Sequence, residues 1–127
     1  MAVVHLVIGV ALLEFLYFGF AVGRAREKYH VAAPATSGNE IFERYFRVQM
    51  NTLEQLIVFI PSILLFARYV EPRIAAALGA VFVIGRAVYF RHYVSEPKKR
   101  SLGFGLSFLP VAILLIGAVI GAALALS

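Results

Sequence analysis

The chain has 127 residues, 61% of them hydrophobic, and a formal net charge of +5 at pH 7; its mean hydropathy is +0.86. A soluble domain is closer to half apolar, so this composition points to lipid as the solvent, and the length suits one domain, residues 1-127. Cysteine is absent, which excludes disulfides, thiolate metal sites and a cysteine nucleophile. The basic residues fall between apolar runs, which fits the positive-inside bias of membrane loops better than a nucleic-acid interface.

Four helices are predicted, at about 2-28, 40-69, 73-94 and 100-126. Each is long enough to cross a hydrocarbon layer roughly 30 Å thick. The first lacks a basic leading region and a small-residue cleavage site, and its apolar part is too long for a signal peptide, so it reads as a retained helix. Glu14 lies at mid-span, where an acid is costly unless protonated or paired. It is read either as a proton-coupled carboxylate or as a packing partner for a basic residue such as Arg86. The following loop, "VAAPATSGNE", is rich in turn formers, and Ser37 or Asn39 is positioned to cap the second helix.

The second helix opens with "FERYFRVQMNTLEQL", residues Phe42 to Leu56, an unusually polar run for such a chain. At about 100° per residue, Arg44, Arg47, Asn51 and Glu54 fall within an arc of roughly 80°. Gln49 points roughly 140° to 160° away from Glu54, Arg47 and Asn51. An internal Arg47–Glu54 ion pair is the structural reading of this stripe. Each charge at membrane depth costs roughly 2.5–3.5 kcal/mol, and an interhelical polar contact returns about 0.6–2 kcal/mol. That balance favours a site for a charged ligand.

Pro61 and Pro110 sit inside apolar spans, where each is expected to bend its helix, and Pro72 suits the first turn of the third. On the third helix Arg86, Tyr89 and Tyr93 recur at i, i+3 and i+7, so both phenols are expected to stand over Arg86. Arg100 follows at the start of the fourth helix, in which Gly117 and Gly121 form a GxxxG suited to close packing. Arg24, Arg26 and Lys28 mark one loop, and Arg91, Lys98, Lys99 and Arg100 mark another. The positive-inside rule places both loops, and the polar residues near them, on the cytoplasmic side, with both termini opposite. His5, His30 and His92 are scattered without ligand spacing, so no metal site is expected.

This inventory offers arginines for carboxylates, an acid and an amide for an ammonium, and phenols for hydrogen bonds, which together suit a zwitterionic peptide. With no thiol of its own, the chain has a clear use for an arginine beside a bound thiol. Half-ionising a thiol of pKa about 8.5 at neutral pH takes about 2 kcal/mol. One charge-assisted hydrogen bond supplies about 1.5–3 kcal/mol, so Arg100 alone suffices.

"FERYFRVQMNTLEQL", together with "PRIAAALG", "IGRAVYF" and "SEPKKRSLG", resembles the MAPEG superfamily of membrane-associated proteins in eicosanoid and glutathione metabolism, most closely its third-type microsomal glutathione transferase branch. The resemblance implies an all-α integral membrane protein, a bundle of four transmembrane helices assembled as a homotrimer, with glutathione between subunits. It carries glutathione contacts onto Arg26, Arg47, Gln49, Asn51, Glu54, Tyr89 and Tyr93, and the catalytic roles onto Arg100 and Tyr93. It implies glutathione transfer to lipophilic electrophiles or reduction of lipid hydroperoxides, in an inner or endoplasmic reticulum membrane. Glu27 and Gln55 stand where the leukotriene C4 synthase branch has a basic residue and a tyrosine, which argues against leukotriene synthesis. Two competing readings are a noncatalytic lipid-binding scaffold like five-lipoxygenase-activating protein and a small multidrug transporter using Glu14.

Overall fold

In the computed structural model, which describes residues 1–127, the chain forms four helices in sequence order. α1 (Ala2–Tyr29) stops at His30, which adopts the left-handed conformation at φ 57° and returns its N–H to the Arg26 carbonyl. α2 (Glu40–Tyr69) starts where Asn39 Oδ1 accepts a 2.9 Å hydrogen bond from the Phe42 N–H. Glu40 and Glu43 in its first turn complement the positive end of the helix dipole. α3 (Pro72–Ser95) is capped by Glu71, whose carboxylate accepts from the Ile74 N–H at 2.9 Å, with Pro72 in the first turn, where its missing N–H goes unneeded. A 3-10 turn, Pro97–Lys99, leads directly into α4 (Arg100–Ala125).

Each α-helix is long and apolar enough to cross a membrane. Their backbone groups are satisfied within the helices, the arrangement hydrocarbon demands. Large apolar side chains such as Leu6, Leu13, Leu16, Ile57 and Leu109 point outward, a waste in water and the expected face toward lipid.

Inside, Phe59 of α2 stacks on Phe82 of α3 with ring centroids 4.0 Å apart, and both are fully buried beside Ile63 and Leu114. Glycines set the closest helix approaches. A Cβ on Gly85 would lie 2.6 Å from the Ser107 backbone nitrogen, and one on Gly103 would collide with the backbone of Tyr89. These two contacts bring α4 hard against α3. The GxxxG pair packs within the chain: Gly117 faces the Phe66 ring and Gly121 faces Tyr69, both on α2.

Candidate functional site

The most consequential side chain in the interior is Arg86, which is completely buried. Its Nη1 donates to Asn51 Oδ1 at 2.7 Å and to Thr52 Oγ1 at 3.2 Å on α2, and its Nη2 donates to Ser107 Oγ at 2.7 Å on α4. Ser107 in turn donates back to its own helix at the Gly103 and Phe104 carbonyls. One guanidinium thus joins three helices. The contacts return about 0.6–2 kcal/mol each, the same order as the roughly 2.5–3.5 kcal/mol that a buried cation costs at this depth. The Arg86 Cζ also lies 4.4 Å from the Tyr89 ring centroid, and Tyr93 stacks on Tyr89 with centroids 5.4 Å apart. The structure therefore puts one phenol over Arg86 and the second over the first.

Above this clamp opens a cleft of ≈ 630 Å³ between α2, α3 and α4. Arg47 and Asn51 line it from α2, Tyr89 and Tyr93 from α3, and Arg100 from the first turn of α4. The placement of Arg100 follows from Gly103, one turn later, which seats the start of α4 on the Tyr89 backbone. Ion pairs occur at Arg44–Glu40 and Lys99–Glu96, so Arg47 and Arg100 enter the cleft with their charge unneutralised. Two free cations, an amide and two phenols on one wall form a receptor for an anionic, hydrogen-bonding ligand.

Three other residues singled out in the sequence lie elsewhere. Arg26 donates to the Ala35 carbonyl at 2.7 Å and sits 4.8 Å over the Phe42 ring, bracing the α1–α2 loop. Gln49 turns toward α1, where its side-chain nitrogen would be 3.0 Å from a Cβ on Gly19. Glu54 is exposed on the outer surface of α2 and does not line the cleft. Arg44, part of the same polar stripe, spans to α3 and donates to the Val94 and Ser95 carbonyls at 3.1 and 3.3 Å, satisfying the helix end. Glu14 is half-buried within the electrostatic reach of Arg86, yet forms no ion pair with it, and its Oε1 has no hydrogen-bond partner.

Sequence reasoning missed several contributors. Ser101, Phe104 and Gly105 complete the cleft from α4, and Thr52 and Ser107 hold Arg86. Ser101, Phe104 and Gly105 follow Arg100 along one helix, a legible hint; Thr52 and Ser107 are small hydroxyl residues of a kind common in membrane helices and carry no signal alone.

Comparison with known proteins gives the class. The MAPEG family model matches residues 4–120. The chain belongs to the MAPEG family. It is 50% identical over 115 residues to an uncharacterized protein of Synechocystis sp., covering 91% of this chain and 84% of that one. It is 43% identical over 103 residues to human microsomal glutathione S-transferase 2, covering 80% of this chain and 70% of the relative. It is 33% identical over 91 residues to mouse leukotriene C4 synthase, covering 72% and 61% respectively. The named enzymes among these relatives correct the expected affinity with the third-type branch: they are microsomal glutathione S-transferase 2 and leukotriene C4 synthase. That expectation rested on three short stretches, "PRIAAALG", "IGRAVYF" and "SEPKKRSLG", whereas the match to the second type extends over 80% of the chain.

Proposed function

We propose that this chain is a membrane-bound glutathione transferase that ionises glutathione for attack on lipophilic electrophiles, with reduction of lipid hydroperoxides as a second use of the same thiolate. The observation that carries this reading is the cleft in which unneutralised Arg47 and Arg100 face Asn51, Tyr89 and Tyr93. Arg47 suits a glutathione carboxylate, the Asn51 NH2 suits a peptide carbonyl, the tyrosine hydroxyls suit its peptide and amine groups, and Arg100 holds the sulfur as thiolate. The thiolate then forms a carbon–sulfur bond to an electrophile entering from the bilayer, and the leaving group departs or a proton is taken up from water. Tyr93 is placed to donate to the developing negative charge. The names of the second-type transferases fit this chemistry.

Arg26, Gln49 and Glu54 lie outside this cleft and reach the ligand in our reading only from a second copy, which is the reason to propose a homotrimer with glutathione between subunits. The basic ends of the helices, by the positive-inside rule, support a cleft at the cytoplasmic face with both termini opposite. The test is calorimetric titration of the purified protein with glutathione and with an S-hexyl conjugate. Binding of both, the conjugate more tightly, is expected; an absence of binding to either overturns the proposal.

A further inference from the structure

A second site lies on the other side of the bundle. A hollow of ≈ 280 Å³ opens at the basic end of α1, where Arg24 and Lys28 stand one helical turn apart above a wall of aromatic rings. Tyr17 and Tyr45 each meet Phe90 edge-on, with centroids 5.9 and 5.8 Å apart, and the Lys28 ammonium lies 5.5 Å from the Tyr29 ring. The chain's ion pairs involve neither Arg24 nor Lys28, so both cations lack a carboxylate partner. Glu27, their nearest acid in sequence, turns away to line a separate hollow beside Arg26 and His30.

The helix face below the cations is graded. Leu13, Tyr17, Phe20, Arg24 and Lys28 share an arc of roughly 80° on α1. Leu13, Tyr17 and Phe20 are exposed. Over the seven residues from Arg24 to Tyr17 the helix descends about 10 Å toward mid-membrane. From the end inward this face presents the two cations, then the Phe20 and Tyr17 rings, then the aliphatic Leu13, so charge lies at the membrane surface, aromatic rings below it and hydrocarbon deepest, as phosphate, interface and acyl chains do in a bilayer. A zwitterionic head group carries its own cation and leaves these two charges opposed; an anionic one neutralises them.

We propose that this hollow binds the phosphate of an anionic phospholipid, with Arg24 and Lys28 on the phosphate, Tyr29 and Tyr45 flanking the head group, and acyl chains running down the outer face of α1. Basic side chains at a membrane surface attract anionic lipid by about 1 kcal/mol each. The site shares no residue with the proposed glutathione cleft and stands or falls independently of it.

The test is thermal unfolding of the full chain in detergent, titrated with dioleoyl-phosphatidylglycerol, with dioleoyl-phosphatidylcholine and with inorganic phosphate. Phosphatidylglycerol is expected to raise Tm saturably and well beyond phosphatidylcholine. Arg24→Gln/Lys28→Gln is expected to weaken that lipid about thirtyfold. Arg91→Gln/Lys98→Gln, which removes equal charge from exposed positions outside the hollow, is expected to leave the affinity unchanged. If the double variant does not purify folded, Arg24→Gln and Lys28→Gln alone are each expected to weaken binding about fivefold. An equal loss in the Arg91/Lys98 variant means diffuse charge attraction and overturns the site. A full shift with inorganic phosphate alone assigns the hollow to a free anion and overturns the lipid reading.

Discussion

The Arg86 guanidinium on α3 holds the side-chain oxygen of Asn51 on α2 at 2.7 Å, so a residue read from the sequence as a ligand contact is itself oriented by a buried cation. Arginine has no acceptor, so it takes the oxygen of the amide and leaves the Asn51 NH2 as the group free to face the cleft. Asn51 is thereby a donor, matched to a carboxylate or peptide carbonyl. Replacing Asn51 by Asp keeps the Arg86 contact and removes that donor. Asn51→Asp is expected to fold normally and raise the glutathione KM about tenfold or more, as one lost bond to a charged or buried group requires. Steady-state kinetics at fixed electrophile checks this, and an unchanged KM removes Asn51 from the binding site.

Arg86→Lys tests the clamp. Lysine retains the buried charge but lacks the planar fork that reaches α2 and α4 together. The expected loss is about 1–3 kcal/mol of stability, from one or two interhelical contacts at about 0.6–2 kcal/mol each. Arg86→Met, which also sheds the charge, is expected to lose less. Thermal unfolding in detergent gives the order, and a methionine variant less stable than the lysine variant contradicts it.

Gly103→Ala addresses how Arg100 is placed. A methyl at Gly103 meets the Tyr89 backbone, which has no flexible end to yield, so α4 must lift from α3. Overpacking of this kind costs about 1–3 kcal/mol, and it displaces Arg100 one turn away. Activity is expected to fall at least about tenfold, with a lower Tm. Gly23→Ala, where nothing lies within 4 Å of the added Cβ, is expected to match or exceed wild-type stability.

Glu71 gives a pH prediction at the other end of the bundle. Hydrogen bonds from the Arg73 and Ile74 backbone hold its carboxyl below the ordinary value of 4.5. A group depressed in the folded state contributes stability that is complete above its unfolded pKa and is lost as pH falls through the folded one. Stability is therefore expected to decline below about pH 4.5, and Glu71→Gln to flatten that part of the profile. Unfolding curves across the acid range decide it: identical slopes in the two proteins remove Glu71 as a contributor.

The fold was legible in the chain because hydropathy and turn chemistry are local. Asn39 and Pro72 announce helix starts with side chains that act within one turn, and the Glu71 cap became visible only in the structure. The cleft was legible as far as helical phase reaches: Arg47 and Asn51 share one face, and Tyr89 and Tyr93 share another. Interhelical partners were not, because phase on one helix does not specify what stands opposite. Arg86 therefore could not be connected to Thr52 or Ser107, and Glu54 followed the Arg47 stripe on paper while the structure leaves it on the outer surface. Gln49 was correctly separated from the stripe, and the direction it takes, toward Gly19 of α1, depends on a close approach that a glycine permits.

The central claim is that Arg100, uncompensated at the mouth of the cleft, holds a bound thiol as thiolate. The most direct measurement is far-ultraviolet thiolate absorbance on mixing glutathione with the purified protein at neutral pH, for wild type and Arg100→Ala. Wild type is expected to develop the thiolate band and release protons on binding. Arg100→Ala is expected to bind glutathione with most of the band gone, since losing one charge-assisted bond of about 1.5–3 kcal/mol returns the thiol largely to its protonated form. An undiminished band in Arg100→Ala, or none in wild type that binds glutathione, contradicts the account.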